Sequence, residues 1–132
     1  MRRVASWLLT NYPERSEELI KRLWKRGGRE DIKLIGLLIA NIEGDAWGKM
    51  LAIIDRGIPI DLVLEIAEEI KRSGRDVPSA KYLVGWNKNK VQKQNAVLIA
   101  SLDMKEDFVE LISSAPSGGE LYERIRKRAL DA

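Results

Sequence analysis

Four lysines fall in a stretch that carries no carboxylate. No acidic residue occurs between Asp76 and Asp103, while Lys81, Lys88, Lys90 and Lys93 lie inside that gap. Asn89 with Gln92 three residues on reads as a capping box that opens a helix. The start of a helix attracts phosphate through its free amides and its dipole. Lysine and asparagine side chains there add contacts to phosphate oxygens that are indifferent to base identity. Lys88, Asn89, Lys90 and Lys93 are therefore the leading candidates for a nucleic-acid contact, set against the plainer alternative of a solvated basic face. Trp86 follows Gly85, precedes Asn87-Lys88-Asn89-Lys90 and has no apolar stripe to join. Either it stands exposed beside the lysines or it pins the loop against the following helix.

A second basic group, Lys21, Arg22, Lys25, Arg26, Arg29 and Lys33, surrounds Trp24 and Gly27-Gly28. Basic residues with an aromatic ring can hold nucleic acid by stacking. Trp24 shares a stripe with Ile20 and Leu23, however, which predicts core packing for it, and Trp7 and Trp47 also sit on apolar stripes. A third group is Arg124, Arg126, Lys127 and Arg128. Asp61 and Glu65, one turn apart, have the spacing to hold a divalent cation or act as a carboxylate pair, although acids at a helix start ordinarily just favour the dipole.

Composition narrows the chemistry. The 132 residues include no histidine and no cysteine. The commonest general base, the commonest transition-metal ligand and all thiol chemistry are thereby removed. No glycine-rich phosphate loop, serine nucleophile elbow or zinc-ligand spacing is present. The expectation is no catalytic residue, no metal and no cofactor. The formal charge of +3 is a mild excess, so its clustering says more than its size. The opening Met1-Arg2-Arg3-Val4-Ala5-Ser6-Trp7 reads as the start of an amphipathic helix, not a signal peptide. Without a membrane-spanning run, the cytoplasm is the expected location.

The elements that must position these residues are helices. Ile32 to Ile42 is apolar on nearly every side, too long for an ordinary strand and too short to cross a bilayer. Such a helix belongs in a protein interior. Burying its large aliphatic side chains is worth roughly 10–20 kcal/mol as an upper estimate. That outweighs the ~1 kcal/mol that Gly36 costs a helix, and Gly36 with Ala40 would let a second backbone approach. Further helices are predicted over about 2–10, with Val4, Trp7 and Leu8 inward; over 13–25; after Asp45 as a cap; and from Pro59 to Arg72. A brief one runs from Ser79 to Gly85, and a longer one from Lys90 to Leu102. Asp103 is expected to cap the next, and Ser117 with Glu120 the last, which turns Leu121, Tyr122 and Ile125 inward. No alternating strand pattern or hairpin dipeptide competes.

A faint internal repeat runs through this pattern. Ile35 to Ile42, IGLLIANI, aligns with Asn95 to Leu102, NAVLIASL. An acidic turn and an aromatic helix follow each, with Trp47 in one copy and Phe108 in the other. An offset of about 60 residues suits two units of a HEAT-like solenoid.

Taken together, these features resemble the HEAT-like DNA alkylation-repair family, the AlkD-type glycosylases. Leu23-Trp24 with the charged turn, Glu30 and the apolar helix resembles one segment of that family. Ile60-Asp61-Leu62-Val63-Leu64 resembles its Trp-Asp-x-x-Asp segment, and Asn89 to Ala100 resembles the helix bearing a tryptophan and paired arginines. The resemblance covers Lys21 to Leu102. It implies a HEAT-like fold, contact with DNA and an aspartate that assists loss of a damaged base. The chain departs at those positions. Ile60 and Val91 replace the tryptophans, Lys93 and Gln94 the arginines, and Leu64 the assisting aspartate. A leucine cannot stabilise a forming sugar cation.

The sequence thus predicts an all-α chain, residues 1–132 forming one antiparallel, HEAT-like helical stack. The leading function is non-catalytic DNA or other nucleic-acid binding through Lys88, Asn89, Lys90 and Lys93. Trp86 and the Lys21, Arg22, Lys25, Arg26 and Arg29 cluster would support it. A protein-interaction scaffold is the alternative from another class, a reduced alkylpurine glycosylase a third. A homodimer would cover any apolar edge, and no membrane partner is expected.

Overall fold

The computed structural model describes residues 2–131, and side chains from residue 3. The described residues form helices α1 (Arg2–Asn11), α2 (Ser16–Arg26), α3 (Arg29–Asn41), α4 (Ala46–Ile53), α5 (Ile60–Arg72), α6 (Ala80–Val84), α7 (Lys90–Ala100), α8 (Val109–Ser113) and α9 (Glu120–Asp131), with 3₁₀ turns at Pro13–Arg15 and Glu106–Phe108. The protein is all-α, and no strand occurs among the described residues. The chain divides into two compact units, Met1–Ile53 with Glu65–Arg75, and Ile54–Leu64 with Asp76–Ala132.

In the first unit α3 is the buried helix, packed against α1, α2 and α4. Ile32, Ile35, Leu37, Leu38, Ile39 and Ala40 are all buried, as the apolar run requires. The close approach expected at Gly36 is present: a Cβ there would sit 3.1 Å from Ile66 Cγ1 and 3.3 Å from the Ile66 Cα. Gly27, at φ 67°, ends α2 in the left-handed conformation, where glycine is least strained. Gly28 N donates to Asp31 Oδ2 at 3.1 Å, and Gly48 N to Asp45 Oδ1 at 3.0 Å, so carboxylates cap α3 and α4. The far end of α3 has no left-handed glycine. Arg75 instead donates to Ala40 O at 2.6 Å and to Ile42 O. Its guanidinium thus satisfies carbonyls that a helix end leaves open.

Helix α1 departs from the expected face. Val4 and Trp7 are 49% and 56% exposed, whereas Ala5 is 1% exposed. The contact of α1 with α3 turns the small Ala5 inward and leaves Val4 and Trp7 outside, with Leu8 half-buried. Trp24 and Trp47 are buried as predicted.

In the second unit the buried helix is α7, in contact with α6, α8 and α9. Asn95 through Ala100 are buried without interruption. Asp103 does not cap α8. Its N–H donates back to Ala100 O at 3.4 Å, so Asp103 helps to end α7, and the 3₁₀ turn begins only at Glu106. The last cap is also displaced. Glu123 Oε1, not Glu120, accepts from Gly118 N at 2.9 Å. Gly118 lies so tightly on the Tyr122 ring that a Cβ would fall 2.5 Å from Tyr122 Cδ1. Tyr122 is buried as predicted, while Leu121 is 44% exposed.

Overpacking the α3 crossing is the direct test of the first core. Gly36→Val is expected to cost about 1–3 kcal/mol of stability, read as a lower urea midpoint at unchanged slope.

Candidate nucleic-acid interface

The start of α7 is capped by Asn89 as its sequence predicts, while the reciprocal bond of the expected box falls one residue earlier, on Lys88. Asn89 has extended backbone, φ −153° and ψ 175°, and its Oδ1 accepts from Gln92 N at 2.9 Å. Gln92 Oε1 accepts in turn from Lys88 N at 3.0 Å. Asn89 is therefore engaged in capping, and its carbonyl oxygen holds the helix start in place. Lys88, Asn89, Lys90 and Lys93 are all exposed. Lys90 and Lys93, three apart on one helix, share a face.

None of Lys81, Lys88, Lys90 and Lys93 is in an ion pair among the described residues. Several other basic groups differ. On α2, Arg22 pairs with Glu18 at 2.8 Å and Arg26 with Asp31 at 3.6 Å. On α9, Arg124 pairs with Glu120 at 3.2 Å. Arg126 pairs with Glu123 and also donates to Ser113 O at 2.7 Å. Lys21, Lys25, Arg29, Lys127 and Arg128 are exposed.

Trp86 is half-buried and lies against Tyr82, ring centroids 6.5 Å apart and tilted by 45°. The ring it meets belongs to α6, and Trp86 also borders a cleft. This cleft, of about 680 Å³, is lined by Lys81, Trp86, Lys93, Asp107, Glu110 and Ser114 among others. The stretch without acids in sequence is not without acids in space, because Asp107 and Glu110 reach the cleft from the next turn and helix. The cleft wall is balanced in charge, and the excess of cations lies at Lys88 and Lys90. Tyr82, Asp107 and Glu110 were not legible as site residues, since their place depends on the packing of α6 and α8 against α7.

The Lys21 to Arg29 cluster belongs to the first unit. Trp24 is only 6% exposed, so the cluster contains no accessible Trp24 ring for a base to stack on. Asp61 and Glu65 are exposed, and no group of three or more acidic residues able to hold a metal ion occurs among the described residues. No described helix is long and apolar enough to cross a membrane. Compared with protein-family models, curated proteins and solved structures, the chain matches none of them.

The structural and binding roles at this helix start are separable. Asn89→Ala is expected to lower stability by about 0.5–2 kcal/mol through loss of the cap. Lys90→Gln should leave the melting midpoint unchanged, because its exposed ammonium is in no ion pair.

Proposed function

We propose that the protein is a cytoplasmic, non-catalytic nucleic-acid-binding protein that takes the phosphate backbone of DNA at the start of α7. The observation that carries this reading is the set of exposed lysines free of ion pairs around one capped helix start. Lysines without an intramolecular partner keep their full charge for phosphate, and each contact displaces condensed counterions. The half-exposed Trp86 supplies an aromatic edge beside them, of the kind on which an unpaired base stacks. In the first unit, taken by itself, Lys21 and Lys25 are exposed cations of the same kind, while Arg22 and Arg26 are partly neutralised.

We further infer that the helices form an antiparallel, HEAT-like stack. The two aligned segments support this: α3 and α7 are each the buried helix of their own unit, and the aromatic residue after each, Trp47 or Phe108, is buried as well. The partial resemblance to alkylation-repair proteins points the same way. With Leu64 in place of the assisting aspartate, binding is proposed without base removal.

A protein-interaction scaffold is a second reading, favoured by α1. Val4, Trp7 and Tyr12 are exposed, and the Trp7 and Tyr12 rings meet edge-on at 5.6 Å. Apolar surface of this kind ordinarily marks a contact with another protein.

Salt dependence of duplex-DNA binding tests the first reading. With Lys88, Lys90 and Lys93 each meeting a phosphate, log K against log salt should slope near about −2.7. Each Lys→Gln change in the set should reduce the magnitude by about 0.9. A slope near zero, or one that these substitutions leave alone, rejects the interface.

A further inference from the structure

The second unit contains a small recess of about 40 Å³ whose lining includes Arg56, Gly57, Ile60, Val91, Asn95 and Tyr122. Two of these side chains have buried polar atoms without a hydrogen-bond partner among the described residues: Asn95 Nδ2 and Tyr122 Oη. Asn95 is 4% exposed and Tyr122 1%. A buried polar atom that has lost its water and gained no partner is costly, and such atoms are scarce in folded proteins. Two of them on one recess is not what independent packing accidents would produce.

The internal repeat sharpens the point. Asn95 aligns with Ile35, which is fully buried in the first unit. An aliphatic side chain therefore suits this register, yet the second unit places a carboxamide there. Chemistry restricts what joins the two groups. Asn95 Nδ2 only donates, whereas the Tyr122 hydroxyl donates or accepts. A guest that both accepts and donates satisfies the pair. A bare cation cannot accept, and a halide, though it accepts from both groups, offers no proton to the Tyr122 oxygen. The volume admits one water, which needs at least ~10–15 Å³ of such space and two to four polar partners.

We propose that this recess is a specific site for a single bound water that bridges Asn95 on α7 and Tyr122 on α9. The water accepts from Asn95 Nδ2 and completes the Tyr122 hydroxyl, so that the buried helix and the last helix are joined by a polar link within an apolar core. Burial raises the Tyr122 pKa above its ordinary 10.0, with Arg126 opposing and Glu123 adding to the effect. The hydroxyl consequently remains a neutral donor or acceptor throughout the neutral range.

Two measurements on the full chain test the assignment. The first is water–protein cross-relaxation by NMR in the unaltered protein. A long-lived water should give cross peaks to the Asn95 side-chain amide and the Tyr122 ring. The second is the sign of a deletion. With a bridging water, Tyr122→Phe should raise the unfolding equilibrium constant roughly three- to tenfold, the size of one lost hydrogen bond. Asn95→Leu should act in the same direction, and the double variant should cost less than the two singles multiplied, because the first change already removes the bridge. With dry, orphaned groups, Tyr122→Phe would instead leave the constant unchanged or lower it. Absence of the cross peaks together with that result overturns the proposal. If either variant fails to fold, the cross peaks in the unaltered chain decide alone.

Discussion

The burial of α7 is the constraint on which the candidate interface depends. Six consecutive residues, Asn95 to Ala100, are enclosed, which a surface helix with one apolar stripe would not show. A helix enclosed on all sides cannot roll or slide without tearing contacts on every face. Its only accessible part is the N-terminal end, and there the sequence places Lys88, Lys90 and Lys93. Asn89 and Gln92 lock that end by capping. A flexible group of lysines would lose side-chain and backbone freedom on meeting a phosphate; here the backbone share of that loss is already met by folding.

Charge placement separates Lys88 and Lys90 from several arginines of the other basic clusters. On α2 and α9 arginines lean on carboxylates one turn away, at 2.8 Å for Arg22 with Glu18 and 3.2 Å for Arg124 with Glu120. Such exposed pairs add little to stability, up to about 1 kcal/mol, but they cancel local field. Lys49 does the same for Glu17, holding its carboxyl below the usual 4.5 chiefly through their hydrogen bond. Lys88 and Lys90 are not offset in this way. The nearby cleft is different again, with Lys81 and Lys93 facing Asp107 and Glu110. A polyanion would accordingly be drawn to the rim at Lys88 and Lys90 before the cleft, with Trp86 between the two.

Much of the helical order was legible because its causes are local. The apolar run in α3, the Asp45 and Asn89 caps and the Gly27 stop each follow from a few neighbouring residues, and Gly36 announced the close approach of Ile66. What escaped were matters decided by packing at a distance. Ala5 rather than Trp7 turned inward, because α1 meets α3 through its small residue. Asp103 went to the end of α7, and Glu123 instead of Glu120 accepts from the Gly118 N–H. The stretch 77–102 has no acid in sequence, yet Asp107 and Glu110 line the cleft beside it once the chain folds. Arg75, more than thirty residues on, is tied to the carbonyls that close α3, a contact that no local pattern reports.

The start of α7 is the proposed point of contact with DNA. Titration of the isotopically labelled protein with a short duplex at low salt, followed through backbone amide shifts, addresses that claim directly. Perturbations are expected to be largest from Trp86 to Lys93 and to fade as salt rises. Shifts confined to α1, or none at all under conditions where the protein remains folded, would contradict it.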